Sequence, residues 1–397
     1  MTHMNIKIFT DNIEGQALNQ VYTIAKMPAF ENAKIRIMPD VHAGAGCVIG
    51  FTADLGDKVI PNIVGVDIGC GMLTVKLKNK NLNTEALTAI DDAIHRFVPS
   101  GHDIHDSIKA SFNKIKNIRC YEQLKNKEIF ECSIGSLGGG NHFIEIDQDE
   151  NGTNYLIIHT GSRNLGKQVA EYYQKLAFRT MTSNHIKERI DETIAKLKAE
   201  GKERDIENTI KILKMQTTSV PKELCWLEGQ NRDDYLHDMK ICQEYAVLNR
   251  ATIADIILSH TELIEDSRFE TIHNYIDHDS NIVRKGSIRA LKGERVLIPL
   301  NMRDGCIIGI GKGNEDWNYS APHGAGRTLS RSQAKEMINM DDYKESMKDI
   351  FTTSVNQSTI DESPFAYKPS EEIIELVKDT VDIEKIIKPI YNFKASD

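Results

Sequence analysis

No stretch of this 397-residue chain approaches the ~18 consecutive apolar residues of a membrane-spanning helix, and no basic N-terminal start runs into an apolar segment. The expected location is therefore cytoplasmic. The chain also lacks any CxxC pair. Its seven cysteines (Cys47, Cys70, Cys120, Cys132, Cys225, Cys242, Cys306) are odd in number and scattered, which excludes a disulfide framework or a zinc ribbon and fits a reducing compartment. Internal repeats and low-complexity tracts are absent. Nor is positive charge in surplus: 49 basic residues face 58 acidic ones, a net −9, so the surface as a whole does not adhere to nucleic acid. A polyanionic substrate has to be met by a local basic site.

What is present is 40% hydrophobic and 27% charged content, enough to bury a sizeable core. Up to about residue 165 the chain is rich in glycine and in short β-type runs ("AKIRIM", "CVIGFTA", "NIVGVD", "MLTVKLK", "HFIEID", "YLIIHT"), with helices expected near 83–97 and 106–117. From about 164 to 260 long, charged, glycine-poor segments predict a helical hairpin broken at Gly201 and a further long helix, with the charge run as a solvated face. β-type runs return between 268 and 327, and the last 70 or so residues look mainly helical. This pattern predicts an α+β fold: one mixed domain over 1–397 with a helical insertion near 164–260, not two independent domains.

The candidate chemistry lies in the glycine-rich β parts. In "HFIEIDQDENGTNYLIIHT", Asn151-Gly152 between two β-type runs predicts a hairpin with a two-residue type I′ turn. Counting outward pairs Glu150 with Thr153 and Ile144 with His159, which puts His142 on the same face as His159. Two converging imidazoles suit a divalent metal, and equally suit two hydrogen-bonded histidines near a strand end. Asp67 and Cys70 in "GVDIGCGM" and His273 in "ETIHNYI" are further donors, although Cys70 also reads as a small buried hydrophobe and His273 as a packed core histidine. With one Asp, one Cys and three His, two metal sites exist only if the sulfur is shared.

In "SAPHGAGR", His323 is followed by Gly324, Ala325 and Gly326, which leave room for a large substituent, and by the planar cation Arg327. That arrangement fits a histidine nucleophile attacking a nucleotide phosphate, or a plain turn with a capping histidine. The run "GSLGGGNHF" is a phosphate-approach loop or a tight turn, and it has neither Walker nor dinucleotide spacing. Arg163 in "HTGSR" and Lys285 in "RKGSI" add local positive charge.

Taken in order, "MPDVHAGAGCVIG", "VGVDIGCGM", "GSLGGGNHFIEI", "HTGSR", "ETIHNYI", "RKGSI", "HGAGR" and "AYK" resemble the RtcB family of RNA ligases over about residues 36–395. The resemblance implies β-sheets around a central metal cleft. It further implies a GTP- and manganese-dependent RNA ligase that joins RNA 3′-phosphate or 2′,3′-cyclic phosphate ends to 5′-hydroxyl ends, in tRNA splicing or RNA repair. Asp67, Cys70, His142, His159 and His273 would hold two Mn2+ ions with Cys70 bridging, and His323 would carry GMP. Asn141, Glu145, Arg327, Tyr367 and Lys394 resemble nucleotide contacts, Arg163 and Lys285 resemble phosphate-handling residues, and Asp40 and His42 match an element near the active site. The chain departs from the family pattern in "IPLNMRDGC", where Asn301 and Cys306 stand in place of serines, and Lys394 is followed by three residues rather than lying at the very end. A dinuclear phosphoesterase that opens cyclic phosphates without ligation is the alternative expectation. The expected partners are RNA ends and no membrane, with a monomeric state and a protein activator as further expectations.

Overall fold

The computed structural model describes residues 5–213 and 218–395. The chain builds two principal sheets. One runs Asn5–Ile8, Lys34–His42, Ile49–Asp54, Ile282–Lys285, Asn274–Asp277. The larger runs Arg295–Asn301, Gly305–Gly311, Val381–Lys394, Phe143–Gln148, Thr153–Thr160, Gly71–Lys80, Glu265–Ile272, with Phe351–Thr352 added alongside Val381–Lys394. This second sheet curls until its edges approach, so that Leu297 N–H donates to Thr271 Oγ1 at 3.2 Å. The concave side holds Met72, Tyr155, Ile157, Leu297, Ile308 and Ile387. The convex side packs Leu73, Val75, Ile144, Ile146, Leu156 and Ile158 against the helices Thr84–Phe97 and Gly229–Ser259. Alternate residues of each strand therefore face two apolar layers, as strands covered on both sides must. The fold is α+β, as expected, and no helix among the described residues is long and apolar enough to cross a membrane.

Several elements match their sequence signals. Asn83 caps Thr84–Phe97 by accepting from Ala86 N, and Glu85 lies in the first turn. The helix Arg163–Ala199 ends before Gly201, whose φ of +68° breaks the path to Ile206–Leu213. Lys214 and Met215, the expected end of that hairpin, lie outside the described residues.

Four expectations need correction. "NIVGVD" is no strand: Pro61 starts the short helix Pro61–Val64, where its fixed φ and missing N–H suit the first helical position. Within 106–117 only Asn113–Asn117 is helical, as a 3-10 turn, because Glu131 Oε1 takes the Phe112 N–H before a helix can. The C-terminal segment is helical in pieces up to Asp379 and then forms the 14-residue strand Val381–Lys394 in the middle of the large sheet. Pro389 has no N–H to give a central strand, and it stands at a register shift between Pro389 and Tyr391.

The fourth correction concerns the hairpin. Phe143, not Ile144, pairs with His159, and Ile144 pairs with Ile158. The Asp149 carboxylate accepts from Asn151 N at 3.0 Å and Thr153 N at 2.9 Å, and Gly152 has φ +74°, so a three-residue loop replaces the two-residue turn. Every pairing slips by one. His142 and His159 nevertheless converge, because His142 lies just before the strand, in a loop free of the strand's alternation.

Candidate metal centre and nucleotide pocket

The two sheets meet at His273. It is the single residue between Glu265–Ile272 of the curled sheet and Asn274–Asp277 of the other, and its N–H donates to Cys70 O at 2.9 Å. Asp67 and Cys70 come from the turn that leads into Gly71–Lys80, His142 from the glycine loop before Phe143, and His159 from Thr153–Thr160. The structure brings all five together. Cys70 Sγ lies 3.3 Å from His159 Nε2 and 3.6 Å from His142 Nε2; His159 and His273 face each other at 3.3 Å between Nε2 atoms; His142 Nε2 is 3.0 Å from Asp67 Oδ2. Donor atoms bound to one divalent ion by bonds of roughly 2.0–2.3 Å sit about 3.3–3.6 Å apart.

The tautomers give the argument its force. His142 Nδ1–H donates to Leu137 O at 2.9 Å and His159 Nδ1–H donates to Asn141 O at 3.1 Å. In neutral rings these bonds leave both Nε2 atoms as lone pairs, aimed at a carboxylate, a sulfur and another imidazole. Such a cluster can be bridged by protons or by a divalent cation, and its donor types suit the cation. Burial also holds His159 and His273 well below the ordinary histidine range, so they stay neutral, as ligands must. The Cys70 thiol is pushed well up by burial and then by Asp67, so an adjacent cation is what makes it a thiolate. Two donor sets share that sulfur: Cys70, His159, His273 and Asp67, Cys70, His142.

The long helix expected from the sequence, Gly229–Ser259, fixes these loops. Asn249 Nδ2 donates to Ser136 O and Gly161 O, and its Oδ1 accepts from Gly135 N. Arg250 is fully buried; it donates to Gly69 O at 2.9 Å and Thr160 O at 2.8 Å and pairs with Glu270. Adjacent positions on Gly229–Ser259 thus pin the Asp67, His142 and His159 loops. Arg250→Met should destabilise the chain by about 3–5 kcal/mol, because Glu270 and two carbonyls lose a buried cationic partner. Urea unfolding measures this, and a loss below about 1 kcal/mol would show that the pin is dispensable.

His323 follows the strand Ser320–Pro322. Its Nδ1–H donates to Asp40 Oδ2 at 2.6 Å, and the same oxygen accepts its backbone N–H at 3.0 Å. Asp40 is fully buried, at the bulge of Lys34–His42, and Gly326 must be glycine because a Cβ there would lie 2.3 Å from Asp40 O. In the neutral ring this bond selects the tautomer whose free lone pair is on Nε2. The ring lies 4.9 Å from that of His273, beside the metal centre.

Both groups open into a cavity of about 830 Å3 lined by His42, Asn141, Glu145, Asn301, Gly324, Ala325, Gly326, Arg327, Tyr367 and Lys394 among others. Burial holds His42 down to about 4 and so neutral. At the far end Lys394 pairs with Glu362 at 2.8 Å, Tyr367 O–H donates to Glu362 at 2.6 Å, and Arg327 lies over the Tyr367 ring. Asn301 lines the cavity but uses its side chain on Arg303 N, Asp304 N and Asp304 Oδ2. Cys306 lies beneath the floor, its thiol donating to Glu145 Oε1. Neither expected phosphate residue is among those that line this cavity. Arg163, at φ +54°, donates to Ser136 Oγ and Gly101 O, filling the space over Gly138; Lys285 Nζ donates to Ala45 O and Asn62 O.

A family model described as "tRNA-splicing ligase RtcB" matches residues 20–127 and 119–395. The chain belongs to the RtcB family. The RNA-splicing ligase RtcB of Escherichia coli strain K12 is 28% identical over 430 aligned positions, covering 98% of this chain and 97% of that protein. The tRNA-splicing ligase RtcB of Archaeoglobus fulgidus is 26% identical, covering 92% and 88%, and the RNA-splicing ligase RtcB2 of E. coli strain ATCC 25922 is 23% identical, covering 91% and 87%. Within this RtcB chain, sequence reasoning missed Asn249, Arg250 and Glu362. The first two carry no local motif. Glu362 stands five residues before Tyr367 in "DESPFAY", and only the fold aims it at Arg327 and Lys394.

Proposed function

We propose that this RtcB protein is a GTP-dependent RNA ligase that joins 3′-phosphate or 2′,3′-cyclic phosphate ends to 5′-hydroxyl ends through a guanylylated His323. The observation that carries the reading is the Asp40–His323 contact. A carboxylate that holds Nδ1–H makes Nε2 the nucleophilic atom, and this atom sits between a cavity of nucleotide size and the Cys–His–Asp cluster. A phosphoesterase that only opens cyclic phosphates has no use for that arrangement.

In the proposed path, His323 Nε2 attacks the α-phosphorus of GTP; a P–N bond forms, the bond to the β-phosphate oxygen breaks, and pyrophosphate leaves. An oxygen of the RNA 3′-phosphate, freed from a cyclic end by water where necessary, then attacks that phosphorus and releases His323. The 5′-hydroxyl finally attacks the activated RNA phosphate, its proton passes to a base, and GMP departs. Asp40 stabilises the imidazolium character that His323 gains as it is guanylylated. Glu145, Tyr367 and Lys394 would contact the nucleotide, and Arg327 would hold nucleotide oxygens once freed from Glu362. Asp67, Cys70, His142, His159 and His273 would hold two divalent ions, which when bound supply positive charge for phosphate oxygens. Thiolate and imidazole donors suit zinc as well as manganese, so manganese rests on the family resemblance. tRNA halves or damaged RNA would be the substrate, in the cytoplasm.

The test is α-labelled GTP with Mn2+. The wild-type chain should acquire an acid-labile, alkali-stable label, and His323→Ala should acquire none. Absence of label with manganese and every other divalent ion tried, or full labelling of His323→Ala, would sink the reading.

A further inference from the structure

Under the nucleotide cavity lies a second group of donors outside the Cys–His–Asp cluster. Glu145 and Asp147 are two apart on Phe143–Gln148 and so face the same side of the sheet. Cys306 meets them from Gly305–Gly311, with Sγ 3.3 Å from Glu145 Oε1, and one donor atom from each residue lies within 4.8 Å of the other two. Glu145 is 3% exposed, and Asp147 and Cys306 are 0% exposed.

Asp147 is the decisive member. Both of its carboxylate oxygens are buried without a hydrogen-bond partner. Lysines of this region are engaged elsewhere, Lys385 on Asp149 at 2.9 Å and Lys394 on Glu362 at 2.8 Å, while Lys388 and Lys394 act on the acidic pair only through space. Among the described residues the only donor close to Asp147 is the Cys306 thiol, a weak one, and a buried carboxyl group so poorly supplied holds a proton or a cation. Burial pushes Glu145 up to about 7, and Asp147 and Cys306 well up, so these groups hold protons that a cation would displace.

We propose that Glu145, Asp147 and Cys306 form a third cation site, suited to a small thiophilic divalent ion of the zinc class. One sulfur and two carboxylate oxygens form a zinc-type donor set, and two ligands of one zinc ion stand about 3.6 Å apart for S–O, close to the spacing present. A fourth donor is at hand in Asn392, whose Oδ1 is buried and unpartnered while its Nδ2 donates to Glu145 Oε2 at 3.1 Å. Cys306, which stands where the family resemblance leads one to expect serine, supplies the sulfur. Glu145 and Asn392 line the cavity, so the ion enters from the nucleotide side. The site itself does not depend on the ligase reading. Its consequence does: a cation that engages Glu145 withdraws a carboxylate proposed to contact the nucleotide, so ion and nucleotide exclude each other.

Metal counting on the full-length chain tests this without GTP or RNA. After dialysis against zinc, the wild type should hold three ions per chain and Asp147→Asn two. Cys70→Ala, deprived of the sulfur shared by the other two sites, should keep one, and Cys70→Ala/Asp147→Asn none. X-ray absorption on zinc in Cys70→Ala should show sulfur and oxygen neighbours without the imidazole signature. The proposal is overturned if wild type and Asp147→Asn hold equal zinc, or if a folded Cys70→Ala holds none. It is equally overturned if the double variant keeps its ion or the retained ion shows imidazole. The wild-type and Asp147→Asn comparison decides the matter even if the Cys70 variants fold poorly.

Discussion

If the two proposed sites take manganese, Cys70→Ala should lose both ions together, each with affinity weakened by at least about 100-fold, since even outer partners of metal ligands cost 10–100-fold. The sulfur belongs to both donor sets, and neither set keeps a third side-chain donor without it. Asp67→Ala should instead weaken chiefly the ion held with His142, because Asp67 reaches His142 and Cys70 but belongs to no set with His273. Manganese titration followed by electron paramagnetic resonance counts the ions directly and separates one loss from two. Equal loss of both ions in Asp67→Ala, or one ion kept at wild-type affinity in Cys70→Ala, would refute the shared sulfur.

Asp40→Asn should slow guanylylation of His323 on the order of 10,000-fold while leaving GTP binding within a few fold, by analogy with the wrong-tautomer effect known for catalytic histidines. The amide is nearly the same shape as the carboxylate, but its NH2 can donate to Nδ1 and so place the proton on Nε2, the atom that must attack. The fully buried position also leaves no room for water to substitute. Label incorporation gives the rate and equilibrium dialysis of GTP gives binding. A rate within about tenfold of wild type would show that the contact only packs the loop.

The site was more legible in the sequence than the frame around it. All of the donors except His273, and His323 as well, stand in short strings that contain glycine and whose order carries the family resemblance, and the fold brings all six residues to one place. The hairpin shows where local reading fails. Asn151-Gly152 marks a turn correctly, but the Asp149 side chain, two residues earlier, captures two backbone N–H groups and enlarges the loop. His142 survived that error only by lying outside the ladder. Lys285 and Arg163 were noticed as charges, yet the direction of a long side chain is set by which carbonyls the fold leaves unpaired. Asn249 and Arg250 were invisible for the converse reason. On a helix rich in charge, two polar residues look solvated until tertiary contacts bury them.

The central place of Val381–Lys394 bears on how the enzyme is made. This strand, near the end of the sequence, lies between Gly305–Gly311 and Phe143–Gln148, and it carries Lys394 to the far end of the cavity. During synthesis, Phe143–Gln148 therefore waits for its neighbour until residues 381–394 have been translated, and the pairing spans a long intervening segment whose closure is slow. His273 and the helix Gly229–Ser259 likewise emerge long after Asp67. Until residues 381–394 are made, Phe143–Gln148 exposes an unpaired edge at which chaperones or other nascent chains can dock.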